Sequence, residues 1–128
     1  MSLYSYLVRL ETMLRSRQDI TVNTLEVTVT TIGALFNSEV SFYDGSRLSI
    51  FEELETVRQQ RFHRLRYKFH YQGRDGALVF RYDNSPHYSD LATFPYHKHV
   101  GDAVVEAEPP DLGKVLAEID AILYEESE

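Results

Sequence analysis

The sequence predicts an α+β fold: an antiparallel meander sheet of five to six strands, with the N-terminal and C-terminal helices packed on one face. Apolar residues recur at three- and four-residue spacing over 2–17 and again over 110–124, which is typical of amphipathic helices. Between residues 20 and 83 the period is two instead, which indicates half-buried strands. No helical pattern separates consecutive strands, so a doubly wound parallel sheet is excluded, and no glycine fingerprint of a nucleotide-binding loop is present.

The composition is that of one soluble domain spanning residues 1–128. The chain has 128 residues, a mass of 14.9 kDa and no cysteine, which excludes disulfides and zinc–thiolate sites. Its longest uncharged stretch, between Glu26 and Glu39, is twelve residues and too short to cross a bilayer. We therefore expect a cytoplasmic protein with no membrane partner and no cofactor.

The first half of the chain carries the signals of a helix followed by a hairpin. Ser2 is a plausible cap for the first helix, and alternation from Thr21 predicts the first strand. A second strand is predicted over about 35–43 and a third over 46–56. Asp44-Gly45 between them is a strong signal for a tight turn. The acids Glu52, Glu53 and Glu55 are interpreted as a solvated face or as partners of the next strand.

Residues 60–71 alternate so regularly that they predict a fourth strand with a basic face. On this pattern Leu65, Tyr67, Phe69 and Tyr71 point one way, and Arg64, Arg66, Lys68 and His70 point the other. Residues 73–76 predict a hairpin turn, and residues 77–83 a fifth strand. The regular pattern then stops over 84–101, a long segment that we interpret as a functional loop. A short strand is possible over residues 103–106, before the final helix.

The charge is distributed unevenly. The net charge is −7, but seven basic residues and one acid lie between Arg58 and Arg81, so this segment is +6 and the remainder is −13. Residues 102–128 carry nine acids and one base. The basic strip predicts either a site for an anion or an internal partner for the acidic end of the chain, and the sequence favours neither.

Groups suited to acid–base chemistry gather at the end of the fifth strand and in the loop. Histidine can act as base or acid near neutral pH, and Arg or Lys can hold a phosphate. RNA cleavage without a metal needs a base, an acid and a cation. The candidate catalytic residues are Arg81, Asp83, His87, His97, Lys98 and His99. The candidate nucleic-acid-binding residues are Arg64, Arg66, Lys68 and His70.

Two other interpretations of the same residues stay open. In an extended segment His97 and His99 lie on one side and Lys98 on the other. Together with His87, or with Asp83 or Asp90, these two histidines form a weaker alternative, a metal site. Alternatively, Asp83 and Asn84 form a turn, and the histidines only attach the loop to the sheet.

Two strings in the loop resemble the TumE toxin family. They are residues 81–87 (RYDNSPH) and 91–99 (LATFPYHKH), and residues 44–46, 50–52 and 67–72 upstream fit the same pattern. Tyr96 departs from the pattern, which usually has another histidine there. The resemblance implies a small bacterial or archaeal toxin that pairs with an antitoxin, and it points to the six candidate catalytic residues without naming their roles.

The predicted function is therefore the toxin-like component of a toxin–antitoxin system, with metal-independent RNA cleavage as the candidate activity. Its expected partners are a cognate antitoxin protein and RNA. A non-catalytic module that binds an antitoxin is the first alternative, and a metal hydrolase with histidine ligands is the second.

Overall fold

The computed structural model describes residues 1–58 and 61–125, and these form two helices and one seven-stranded antiparallel sheet. The elements are α1 (Leu3–Arg15), β1 (Ile20–Val29), β2 (Gly33–Phe42), β3 (Arg47–Thr56), β4 (Phe62–Gln72), β5 (Leu78–Asp83), β6 (His97–Val100), β7 (Ala103–Glu106) and α2 (Leu112–Leu123). The strands lie in the sheet in chain order. The predicted class is confirmed, with one strand more than the upper prediction. The unpredicted strand is β6, inside the segment expected to be irregular. Gln60, the predicted start of the fourth strand, lies outside the described residues.

Both helices pack on the same face of the sheet, as predicted, and leave the opposite face uncovered. The covered face, which we call the helix face, holds a single apolar cluster. The helices contribute to it Leu7, Leu10, Leu14, Leu112, Val115, Leu116 and Ile119. The uncovered face is called the open face below. Neither described helix has the length and apolar character needed to cross a membrane.

Local hydrogen bonds explain where these elements begin and turn. The Ser2 hydroxyl accepts from the backbone N–H of Ser5 at 3.1 Å and caps α1. The predicted turn at Asp44 is confirmed, since its carboxylate accepts from the backbone N–H of Ser46 at 2.9 Å. Asp111 caps α2 through the N–H of Lys114 at 2.8 Å. The helix therefore starts after both prolines and not at residue 110, because the capping carboxylate precedes the first helical residue.

A β-bulge in β4 overturns part of the predicted alternation. Glu53 pairs with Arg66 but Leu54 pairs with Arg64, so Leu65 has no partner in β3. One extra residue reverses the side-chain direction of everything before it. Leu65 therefore lies exposed on the open face, and Arg64 lies on the helix face, opposite to the prediction for each.

Arg64 lies beside a buried carboxylate, Glu52. Glu52 is 0% exposed, accepts a short hydrogen bond from the Tyr6 hydroxyl, and lies 3.6 Å from the Arg64 guanidinium. Arg64 also stacks 4.2 Å above the Tyr67 ring. Burial raises the pKa of Glu52 above its ordinary value, although Tyr6 and Arg64 act in the opposite direction. Glu52 is thus not on a solvated face, and it is a partner of the basic strand.

Glu52 should make the stability of the protein depend on pH. A carboxyl whose pKa is raised on folding binds more protons in the folded state than in the unfolded state at pH values above about 4.5. The free energy of unfolding therefore falls as pH rises from 4.5 through the folded-state pKa. Glu52→Gln removes this titration, so its stability relative to wild type should increase over the same interval. Urea unfolding from pH 4 to 8 measures the free energy of unfolding, with Glu53→Gln on the open face as the control. If wild type and Glu52→Gln showed the same dependence of stability on pH, the prediction would be wrong.

Candidate active site

The candidate site is built on the open face from two rows of side chains that cross β4, β5 and β6. In one row Lys68 pairs with Asp83, which pairs with His97. In the neighbouring row His70 pairs with Arg81, which pairs with His99. Directly paired residues of antiparallel strands have their Cβ atoms about 5 Å apart. The register alone therefore brings two cations, a carboxylate and three imidazoles onto one small area.

The Asp83 carboxylate lies at the centre of this area. It is 5% exposed, and one oxygen lies 2.8 Å from Nε2 of His97 and accepts from the backbone N–H of Ser85 at 3.0 Å. The other oxygen lies 3.2 Å from Nε of Arg81 and 3.7 Å from Nε2 of His99. A single buried anion thus orients two imidazoles and a guanidinium.

His97 is held from both sides. It is 1% exposed, its Nδ1 lies 2.9 Å from the carbonyl oxygen of Pro95, and its Nε2 faces Asp83. A carbonyl oxygen only accepts hydrogen bonds, and so does an ionised carboxylate. Nδ1 therefore donates to the Pro95 carbonyl oxygen, and Nε2 lies against the Asp83 carboxylate.

His99 has the opposite character. Its Nε2 lies 3.2 Å from an Nη atom of Arg81, and a guanidinium only donates hydrogen bonds. Nε2 must therefore accept, so this contact requires a neutral ring with its proton on Nδ1. Burial and, after it, the charge of Arg81 lower the pKa of His99 below its ordinary value of 6.5. The two histidines of one short strand thus differ in their partners, a carboxylate for His97 and a guanidinium for His99.

The loop between β5 and β6 folds back over these groups. The ring of Tyr88 lies 5.0 Å from His97 and 5.9 Å from His99, centre to centre, and its backbone has a φ of +61°. A left-handed backbone is costly for a bulky residue and is common at functional sites. Asn84 attaches the start of the loop to the bulge, because its side chain accepts from Tyr67 N–H and donates to the Leu65 carbonyl.

Between the loop and the sheet lies a cleft of about 270 Å³ that is open to solvent. It brings together five of the six predicted catalytic residues, namely Arg81, Asp83, His87, His97 and His99. His87 is exposed on the loop, where a ligand could reach it. Lys68, Ser85 and Tyr88 complete the lining.

Lys98 is the predicted catalytic residue that the fold places elsewhere. It points to the helix face, where its Nζ donates to Glu118 of α2 at 2.6 Å and lies 4.8 Å above the Tyr82 ring. The alternation of a strand requires this, because Lys98 stands between two histidines that face the cleft. Lys98 therefore lies on the side opposite to His97 and His99, as the strand pattern predicted, and its side chain is not in the cleft.

The four predicted nucleic-acid-binding residues divide in the same way. Arg64 is on the helix face and pairs with Glu52, whereas Arg66, Lys68 and His70 lie on the open face. Burial lowers the pKa of His70. Arg64 of the basic strip thus faces an acid of β3 and not one of residues 102–128, whereas Arg66 and Lys68 face solvent.

Tyr88, Ser85 and Lys68 are cleft residues that sequence reasoning did not assign to the catalytic group. Lys68 was assigned only to nucleic-acid binding, although strand pairing places it directly beside Asp83. Tyr88 has one signal in the sequence, its position next to His87 in the loop. Ser85 has only its place beside Asp83.

The set that could ligate a metal is one of the predicted alternatives. Asp83, His97 and His99 offer ligand atoms within 4.8 Å of one another, so the third ligand is Asp83 and not His87. However, the Arg81 guanidinium lies 3.2 Å from both the Asp83 carboxylate and Nε2 of His99. It already balances the charge of the carboxylate and occupies Nε2 of His99, so a metal ion would have to displace it.

Removing the central carboxylate should destabilise the protein. Asp83→Ala leaves His97 and Arg81 without their buried partner, and breaking a buried ion pair from one side costs about 3–5 kcal/mol. We expect a loss of about 3 kcal/mol in urea unfolding at pH 7. Asp90→Ala, in the exposed part of the same loop, is the control and should change stability by less than about 0.5 kcal/mol. Equal stability of the two variants would contradict the central role of Asp83.

Comparison with known proteins identifies a family for this chain. No curated protein and no solved structure shows significant similarity to the chain. A family model described as Toxin TumE matches residues 10–126, which include the sheet, the loop and the cleft. The chain therefore belongs to the TumE toxin family.

Proposed function

We propose that this protein is the toxin of a toxin–antitoxin system and that its cleft cleaves RNA without a metal ion. One observation supports this activity above the others: a neutral imidazole, His99, in direct contact with a guanidinium, Arg81, in a cleft open to solvent. In RNA cleavage of this kind, the 2′-hydroxyl attacks the adjacent phosphate. The reaction needs a base that deprotonates the hydroxyl and a cation that binds the phosphate.

The contact between His99 and Arg81 gives the order of events. An incoming phosphate competes for the N–H groups of Arg81, because a charge-assisted bond to phosphate is stronger than one to a neutral imidazole. Nε2 of His99 is then free to take the proton of the 2′-hydroxyl. The 2′-oxygen attacks phosphorus while the bond to the 5′-oxygen breaks, leaving a 2′,3′-cyclic phosphate and a 5′-hydroxyl. His87, exposed on the loop, gives the leaving oxygen its proton.

Lys68, Asp83 and His97 have supporting roles in this proposal. Lys68 lines the cleft in the row next to Arg81 and adds a second positive charge for the phosphate. Asp83 and His97 are too buried to reach a polymer, so they act as positioning residues that hold Arg81 in place. Lys98 is left out of the catalytic group because it faces α2.

The metal hydrolase is less well supported, because a guanidinium already sits between two of the three potential ligands. The binding module shares the antitoxin partner with the toxin proposal and differs in having no turnover. Cleavage assays therefore separate the proposals.

We predict that Arg81→Gln and His99→Gln each reduce RNA cleavage by about 10²-fold or more, the usual contribution of a catalytic base or of a charge-stabilising group. The measurement is cleavage of single-stranded RNA by purified protein with a metal chelator present, alongside growth after expression in bacteria. Arg9→Gln on the exposed side of α1 and His63→Gln at the other end of the open face are matched controls and should retain full activity.

Three outcomes of this experiment decide the proposal. Loss of cleavage in both cleft variants, with active controls, supports it. Intact RNA with wild-type protein and with every variant, at protein concentrations that bind the antitoxin, would leave only the binding module. Cleavage that is lost with the chelator and restored by a divalent metal would favour the metal hydrolase.

The pH dependence follows from the lowered pKa of His99. A general base works only when deprotonated, so the rate should fall as pH drops through that pKa. The acid limb should therefore have its midpoint below pH 6.5, with full base activity at neutral pH. Rates measured from pH 4.5 to 8 test this, and an acid limb centred above pH 7 would remove His99 as the base.

A further inference from the structure

A second, larger cavity adjoins the cleft on the open face. It measures about 540 Å³, and its lining includes Lys68, Asp83 and Ser85, which also line the cleft. Its other walls come from β1, β2, β3 and β4, in the middle of the sheet. The two cavities thus form one continuous depression that runs across the strands from the imidazoles towards β2.

The aromatic side chain that β3 contributes to the larger cavity is Phe51. It is half-buried, in the row of paired residues that runs from Asn37 through Phe51, Lys68 and Asp83 to His97. Two strand spacings separate Phe51 from Asp83, a distance of about 10 Å. No helix covers this face, so the apolar core does not explain a phenylalanine here.

Polar, basic and acidic groups surround Phe51, since Glu39 lines the same cavity and Glu53 is the next open-face residue along β3. Lys68 is beside Phe51 on the side of the cleft, and Arg66 is the next open-face residue along β4; both are exposed. Within the described residues neither takes part in an ion pair. On the other side Asn37 pairs directly with Phe51, and its amide offers donors and an acceptor.

We propose that Phe51 is the stacking platform for the base of the nucleotide next to the reacting phosphate, with Asn37 at the edge of that base and Arg66 and Lys68 on the backbone. This rests on the proposed RNA cleavage and adds the substrate class to it. The substrate is single-stranded RNA, because a base can stack on a side chain only when it is unpaired.

The test separates the base from the backbone. Binding is measured by fluorescence polarisation with a short single-stranded RNA that is 2′-O-methylated and so cannot be cleaved. A matched probe lacks the one base next to the phosphate expected in the cleft. Phe51→Ala should weaken binding of the complete probe about tenfold, as expected for the loss of one stacked base, and should leave the probe without the base unchanged. Phe51→Trp should restore binding, and unchanged binding of the probe without the base shows that the Phe51→Ala fold is intact.

The control variant is Leu35→Ala, an apolar side chain on the open face of β2 that lines a different cavity. It should affect neither probe. If Phe51→Ala weakens both probes equally, or neither, the stacking site is wrong. The binding assay needs no turnover, so it can fail separately from the cleavage assay. If Phe51→Ala has no specific effect on binding while wild type cleaves RNA and Arg81→Gln does not, only the base site is overturned. Inactive wild-type protein that still binds through Phe51 would overturn the cleavage proposal and retain the site.

Discussion

The site depends on one buried charge, the carboxylate of Asp83. Arg81, His97 and His99 all lie within 4 Å of it, so a single buried carboxylate contacts each of these groups. Asp83 also accepts from the backbone N–H of Ser85, so the same group shapes the first turn of the loop. The positions of the site side chains and the path of the loop thus depend on the same carboxylate.

The sheet was largely predictable, because alternation and turn residues are local signals. The turn signal at Asp44-Gly45, the alternation between the helices and the helical periods at both ends of the chain were sufficient to predict an α+β fold. The bulge at Leu65 was not predictable, since it arises from pairing with β3 and from Asn84, seventeen residues beyond Tyr67, which supplies the hydrogen bonds there. The bulge has a large consequence, because it exchanges the faces of Arg64 and Leu65 and so places Arg64 beside the buried Glu52.

The sequence predicted which residues cluster at the candidate site, but not how their side chains are arranged. The sequence placed three histidines and Arg81 close together, and strand parity correctly put His97 and His99 on one side. β6 itself was missed because four residues next to Pro95 carry too short an alternating pattern. The different surroundings of His97 and His99 come from the Pro95 carbonyl and from Arg81, contacts that only the folded chain creates.

The division of cations between two faces bears on how an acidic protein could bind RNA. Arg17 and Lys98 pair with Asp120 and Glu118 of α2, and Arg64 pairs with Glu52 of β3, so part of the basic charge is used within the fold. Few cations then remain on the open face to neutralise phosphates. Affinity that came only from the release of counterions would be weak with so few contacts. A protein with this distribution needs stacking and directed hydrogen bonds for its affinity, and an open face with an aromatic side chain beside a narrow cationic cleft can supply both.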